Sequence, residues 1–391
     1  MRSRWTILAA LFVARAAFAF QFESVAAVAP QLSQSLGASL ADIGILIGLY
    51  FAPGVFLALP GGTIGRRFGD KTTVLAGLLM MVAGEILMTA SAAWSMQIAG
   101  RLIAGTGGIL LSVLMTKMVA DWFTGREIAT AMAIFVNSWP AGIAIALMLL
   151  PAIGETFGLY AVNLAVAGLI LIGLGFIAFV YRAPDAPVSV EGERGSLTTK
   201  TIYAVIVAGS IWCLYNIGFA MIFSFGPSML VERGWSSAAA GSTISIVLWL
   251  AVLSVPFGGF LADQTKRGDA VVTTGCIAFA LLALLLSRSD AVLPIVLALG
   301  IVCGLPAGAI ISLSALVLER KTRSIGMGIF YTVFYAGSPV GVAIGGMLST
   351  SMGGASAALD FGAAVLLVCP VILWLFRRII TGQNRPVVPS T

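Results

Sequence analysis

Few residues of this chain can do chemistry, and most of those are basic or aromatic. Arg15 stands at the centre of the first apolar run, Trp5 to Val28, with Glu23 about two helical turns further on. In a membrane-crossing helix a central arginine costs about 2.5–3.5 kcal/mol on insertion scales, so it faces a cavity or a partner rather than lipid. Phe18 and Phe22 follow it at i+3 and i+7, on the same face. Arg101 is a second arginine within an apolar stretch, in line with Gly105, Gly108, Ser112 and Thr116 on one helical stripe. A guanidinium is planar and permanently charged, and its fork matches a carboxylate or a similar anion. Two such forks, with no inward lysine pair or acidic cluster of similar depth, point to a small anionic ligand. The competing reading is structural: each arginine is satisfied by a neighbouring helix, and the small residues of the stripe serve close packing.

The chain has no histidine, so any proton it relays must ride on a carboxylate. Glu23, Glu85 and Asp360 lie within or near apolar runs, and Glu23 alone shares a helix with Arg15. Glu23 is therefore the proton-coupling candidate, and equally a candidate ion-pair partner for Arg101. Further along, Trp212, Tyr215, Phe219 and Phe223 form a stripe with Asn216 and Ser224 beside it. Asn137 and Trp139 precede Pro140, and Tyr331 and Tyr335 precede Pro339. A proline inside a span frees backbone groups toward a cavity. Aromatic stripes also serve plain packing, so cavity lining and packing both stay open for these positions.

The elements that position these residues are read from composition. The chain has 391 residues, 59% hydrophobic and 10% charged, against about 25% charged in a soluble domain. Apolar runs of bilayer-crossing length recur throughout. The pattern predicts an all-α membrane protein with twelve spans: 5–29, 41–62, 72–92, 96–119, 128–150, 158–181, 200–226, 237–261, 270–287, 291–317, 325–349 and 357–379. Arg2 and Arg4 ahead of an apolar run, with Ala17-Phe18-Ala19, could be mistaken for a cleavable leader, but Arg15 in its centre argues for a first span.

The net charge of +6 is not a nucleic-acid footprint. The basic residues gather on one side: Arg2, Arg4, Arg66, Arg67, Lys71, Arg126, Arg182, Arg194, Lys200, Lys266, Arg267, Arg320, Lys321, Arg323, Arg377, Arg378 and Arg385. The opposite side holds only Arg233 and Arg288. By the positive-inside rule both termini are cytoplasmic, in a plasma or bacterial inner membrane. Cys213, Cys276, Cys303 and Cys369 lie inside apolar runs without metal-ligand spacing and are read as packing residues. No metal or cofactor is expected. The partners expected are the lipid bilayer, a small-molecule substrate and a coupling proton, with no nucleic acid, for a monomer.

The stretch 182–200 is the one long polar interruption and reads as a cytoplasmic connector between two six-helix halves, 1–181 and 201–391. The halves repeat. Pro30, Gly37, Ser39 and Gly61-Gly62 recur 197 residues later as Pro227, Gly234, Ser236 and Gly258-Gly259. Residues 131–135 match 326–330 at an offset of 195. The 197-residue offset also sets Trp212 at the position equivalent to Arg15. Duplicated halves are a transporter architecture with the substrate near mid-bilayer at their interface.

The loop after span 2 reads Gly-Gly-Thr-Ile-Gly-Arg-Arg-Phe-Gly-Asp-Lys over 61–71, and that after span 8 begins Gly-Gly-Phe-Leu-Ala-Asp at 258–263. Here the chain resembles the major facilitator superfamily, whose loops carry a glycine, an aspartate four residues on, and basic residues. The resemblance implies a loop motif at Gly62, Arg66, Arg67, Gly259 and Asp263, with Arg66 standing where the aspartate is usual. Arg101 with Gly105 and Gly107 is similar to the superfamily's fourth-helix signature. Within it, Arg15 with Pro30, and Asp121-Trp122-Phe123 with Glu127, resemble the cyanate permease and nitrate/nitrite porter branches. The resemblance implies the major facilitator fold, two pseudo-symmetric six-helix halves, with spans 1, 4, 7 and 10 lining a central cavity. The expected substrate-binding set is Arg15, Phe18, Phe22, Arg101, Asn137, Trp139, Trp212, Tyr215, Asn216, Phe219, Tyr331 and Tyr335. The function expected is secondary transport of a small anionic solute by alternating access, coupled to protons by symport or antiport. The alternative is an exporter of drugs or neutral molecules; a channel or a non-transporting receptor ranks below it. No nucleophile–base or metal constellation suggests an enzyme.

Overall fold

The structure, a computed structural model, describes residues 4–58, 60–123, 127–184, 197–318 and 322–381. Gly62 and Arg66 have side-chain positions outside that set, as does Arg323. Residues 185–196 of the expected connector lie outside it altogether, with Arg2, Arg126, Arg194, Arg320, Lys321 and Arg385. Everything regular among the described residues is helical. Among the described residues eleven stretches are long and apolar enough to cross a membrane. We label them α1 (Arg4–Ala27), α2 (Leu40–Leu57), α3 (Asp70–Ala90), α4 (Trp94–Phe123), α5 and α6 (together Thr130–Val180), α7 (Thr199–Glu232), α8 (Ser237–Thr265), α9 (Gly268–Leu286), α10 (Val292–Ser314), α11 (Ile325–Met352) and α12 (Ser356–Ile380).

The 51-residue stretch counts as two crossings, which makes the expected twelve. Gly158, at φ 78 and ψ 175, breaks it into 130–157 and 159–180. A left-handed φ with extended ψ is accessible to glycine and strained for other residues, so the reversal falls there. Both ends of the stretch return to one face of the bundle. Arg4 at the start of α1 pairs with Glu127 at 2.8 Å, and the Trp122 indole at the end of α4 donates to the Arg182 carbonyl at 2.9 Å. We call this face, which also carries the end of α12, the near end.

The repeat seen in the sequence recurs in backbone geometry. Gly37 and Gly234 both take positive φ, 62 and 87, and turn the chain into α2 and α8. Ser39 and Ser236 then cap those helices, accepting the N–H of Asp42 and Ala239 at 3.2 Å. The capping box at Ser39 is completed by Asp42, whose carboxylate accepts the Ser39 N–H at 2.8 Å.

The first and last six helices meet mainly where α2 packs on α11 and where α5 packs on α8. Glycines make both crossings close. A Cβ at Gly48 would meet the Pro339 carbonyl, and one at Gly241 the Leu147 carbonyl. Pro339 thus makes a close helix contact within a continuous α11. The four cysteines are all buried, as packing residues should be.

Candidate functional site

Pro140 has no N–H, so the Val136 carbonyl one turn earlier loses its helical partner. Arg15, on α1, supplies the donor. Its Nη1 donates to the carbonyls of Phe135 at 3.0 Å and Val136 at 3.1 Å, and to Ser138 Oγ at 3.4 Å. The guanidinium also lies over the Phe135 ring, 4.7 Å from its centroid. All these bonds run through one nitrogen. Nε is buried and has no hydrogen-bond partner. Tyr331 and Tyr335, from α11 in the other half of the molecule, stand within electrostatic range of the guanidinium. Arg15 is thus fixed through one nitrogen, while its Nε is left buried and unpartnered.

Arg101 differs. It is fully buried between α1, α2 and α4, and its three nitrogens are engaged. Nε donates to the Leu46 carbonyl at 3.1 Å, Nη1 to that of Gln21 at 2.9 Å, and Nη2 to that of Phe22 at 2.8 Å. Leu46 precedes the break in α2 at 50–53, where Pro53 interrupts the ladder and the Tyr50 N–H turns to Ile47 instead. The Tyr50 ring lies under the guanidinium at 4.4 Å. Arg101, expected among the substrate-binding residues, has its donors taken by main chain inside the first half. The stripe below it follows suit, since a Cβ at Gly105 would meet the Tyr50 carbonyl and one at Gly108 the Phe18 ring.

The expected Glu23–Arg101 ion pair does not form. Glu23 is fully buried near Arg101, yet neither carboxylate oxygen has a hydrogen-bond partner. Glu85 instead accepts from Gln21 Nε2 at 2.8 Å, and Gln21 Oε1 accepts from the Tyr50 hydroxyl at 2.9 Å. This chain of bonds holds α1, α2 and α3 together beneath Glu23.

An aromatic belt joins the two halves on the far side of Arg15. Phe22 stacks on Phe51 at 4.6 Å and meets Trp139 at 5.3 Å; Trp139 also meets Phe18 at 5.0 Å. From the other half, Phe334 and Tyr335 reach Phe51 at 5.7 and 5.8 Å, and Phe223 reaches Phe22 at 6.2 Å. Gly54 leaves room for the Tyr335 ring. Asn137 donates across the interface to the Val252 carbonyl at 3.3 Å. Phe51 and Phe334 were not singled out from sequence; the break at Pro53-Gly54 and the neighbouring Tyr335 were the available signals.

The α7 stripe exists as a column of rings, with Trp212–Tyr215 at 5.6 Å, Tyr215–Phe219 at 6.3 Å and Phe219–Phe223 at 5.3 Å. Its middle faces inward. The Tyr215 hydroxyl donates to the Cys303 carbonyl at 2.8 Å, and Phe219 packs on Phe279. Tyr215, expected among the substrate-binding residues, here bonds and packs within the second half. Trp212 lies against Phe330, and Asn216 donates to its own helix, to the Trp212 carbonyl, at 2.7 Å. In the loops, Arg67 is exposed over the Phe68 ring, while Gly259 and Asp263 sit at the near end of α8 with Asp263 exposed. Among the described residues no cluster of His, Cys, Asp or Glu could hold a metal ion.

The profile of the Major Facilitator Superfamily matches residues 11–231 and 207–388, and the chain belongs to that family of membrane transporters. It is 25% identical over 259 residues to the inner membrane transport protein YajR of Escherichia coli, covering 63% of this chain and 55% of that one. It is 23% identical to the hexuronate transporter of Bacillus subtilis over 69% of this chain and 67% of that protein. To the multidrug efflux protein YfmO of the same organism it is 23% identical over 91% and 89%. Among solved structures, a bacterial homolog of the human lysosomal transporter Spinster, inward-facing and occupied, superposes with a TM-score of 0.75 over the full length of both chains, at 16% identity. The fold is therefore the major facilitator fold, and the chain is a multi-pass membrane protein of that transporter family. The matches do not bring out the cyanate or nitrate branch.

Proposed function

We propose that this transporter carries a small organic anion by alternating access, binding it between the halves 1–181 and 201–391 at Arg15. One observation carries the reading. Arg15 is anchored through Nη1 alone, its Nε is buried without a partner, and Tyr331 and Tyr335 of the opposite half stand within its electrostatic range. A carboxylate seated on that edge would accept from the guanidinium and from tyrosine hydroxyls at once, and so draw the halves together. Glu23 carries the coupling proton: it is a buried carboxylate with no fixed partner on the same helix as Arg15. Moving an anion into a negatively polarised cell works against about 2.3 kcal/mol per charge per 100 mV, which a cotransported proton cancels. The protein works as a monomer in the inner membrane, with the near end cytoplasmic as the basic residues require. The hexuronate relative transports an anion by its name, which supports the substrate class.

The aromatic belt and the efflux relative support a second reading, export of an apolar molecule by proton antiport. A thermal-shift screen of the purified protein against small mono- and dicarboxylates, sugar acids, and neutral aromatic solutes separates the two. On the first reading a carboxylate stabilises the wild type, and Arg15→Lys, which keeps the charge but loses the fork, abolishes the shift. Stabilisation by neutral aromatics alone, unchanged in Arg15→Lys, would reject the anion site.

A further inference from the structure

Away from the near end, the end of α1, the short helix Ala29–Leu36 that follows it, the end of α3 and the starts of α4 and α6 enclose a cavity of about 230 Å³. All its lining residues belong to the first half. Ser24, Met88 and Gln97 form a buried floor, while Ser35, Ala92 and Tyr160 stand exposed at the rim. Arg15 is nine residues earlier on α1 than Ser24, about 13 Å along the helix, and takes no part in the lining. The cavity is therefore distinct from the Arg15 site between the halves.

Its chemistry is also distinct. No Asp, Glu, Lys or Arg is among the lining residues described. An ion entering would lose its water without gaining a counter-charge, at a high cost. The polar groups of the floor have spent their donors on main chain. Ser24 Oγ donates to the Gln21 carbonyl at 2.8 Å, and Thr89 Oγ1 to that of Glu85 at 2.7 Å. Gln97 Nε2 donates to the carbonyls of Met88 at 2.9 Å and Ser91 at 2.8 Å.

Two amides are different. Asn163, on α6, lines the cavity and makes no hydrogen bond among the described residues. Gln31, on the short helix, has both its amide nitrogen and its amide oxygen buried without a partner. Its Nε2 is 3.5 Å from the point where a Cβ on Gly154 would stand, and Val162 and Val28 of the cavity wall are 3.4 and 3.6 Å from the same point. The Gln31 amide thus abuts the wall beside Asn163. Each amide offers a donor and an acceptor side by side, and a buried polar group left unpaired is costly.

We propose that this cavity is a second binding site, for a small uncharged solute that carries a carboxamide, or a similar adjoining donor and acceptor, on an apolar body. Asn163 and Gln31 recognise the polar end, and Val28, Leu32, Met88 and Leu159 enclose the rest. Drug-sized ligands fill pockets of about 300–1,000 Å³, so the volume suits a molecule of one ring. The site selects against the charge that Arg15 favours, and it stands whatever Arg15 binds.

Benzamide, benzoate and ethylbenzene are matched probes: one ring each, with an uncharged amide, a carboxylate or no polar group. Ser35→Cys places a reporter thiol at the rim, and the native cysteines are buried and leave little background. The full-length variant in phosphatidylcholine nanodiscs is labelled with a fluorescent maleimide while each probe is titrated. Benzamide should slow labelling at least threefold, and benzoate and ethylbenzene should leave it within about twofold. Asn163→Ala should raise the half-protecting benzamide concentration by about three- to tenfold, and Gln31→Ala by about two- to fivefold. Neither amide bonds to the protein, so both variants keep the fold's own hydrogen bonds, which their unliganded melting temperatures check. Arg15→Lys should leave protection by benzamide unchanged. Absence of protection, or protection indifferent to both amide substitutions, overturns the site. Equal protection by ethylbenzene, as an acyl chain would give, or by benzoate overturns the recognition proposed. Protection by benzamide in a protein whose Arg15 binds no anion would leave this site standing and remove the anion reading alone.

Discussion

Arg15 donates to carbonyls one turn before Pro140 in α5, and Arg101 to one carbonyl ahead of the break in α2 and two in α1, yet they end in opposite conditions. Around Arg101 the loosened turn of α2 and the carbonyls of Gln21 and Phe22 converge, and Nε, Nη1 and Nη2 each find one. Around Arg15 the acceptors bonded all lie in α5 just ahead of Pro140, so one nitrogen is used and Nε stays bare. The difference is arithmetic between donors and acceptors. A guanidinium has five N–H groups, and whether it braces the fold or recognises a ligand depends on how many are spent on the protein itself.

The largest effect that could break this comparison is on folding. Arg101→Met strands three buried carbonyls, at about 1–3 kcal/mol each, and should leave little folded protein in a detergent-stability assay. Arg15→Met should change the melting temperature by only a few degrees. Equal losses would make both arginines structural.

Next comes coupling. Glu23→Gln keeps the shape of a side chain that has no hydrogen bond to lose. It should abolish accumulation driven by a proton gradient in proteoliposomes, while counterflow of preloaded substrate continues. Accumulation that persists would move the proton elsewhere, with the Gln21-bonded Glu85 as the next candidate.

A sharper and smaller test is Pro140→Ala. It returns an N–H to the Val136 carbonyl and so loosens Arg15 at one of its three acceptors. Stability should change by no more than about 1 kcal/mol, whereas affinity for the anion should fall by about tenfold as the fork loses its fixed orientation. Smallest of all, Tyr331→Phe should weaken binding by about two- to fivefold, the worth of one hydroxyl hydrogen bond. Titration calorimetry reads both. Binding unchanged in Pro140→Ala would mean that the anchor does not orient Arg15.

The sequence by itself determined the fold. Hydropathy set twelve spans close to those of the structure, with the boundary at 150–158 falling where Gly158 reverses the chain. The repeat was legible because glycine and serine at fixed turns are dictated locally, and Gly37, Ser39, Gly234 and Ser236 do occupy equivalent turns and caps. Which buried polar groups find each other was not legible. Periodicity gives the face of a helix but not the neighbour it meets, so Arg101 and Tyr215 looked like cavity residues. Only the packed bundle shows that main-chain carbonyls from other helices had claimed them. The same limit hid Phe51 and Phe334, whose place in the interface depends on how α2 crosses α11. Local chemistry fixes where a helix starts, stops or breaks. What a broken turn then bonds to is a property of helices far apart in the chain, and only the tertiary structure decides it.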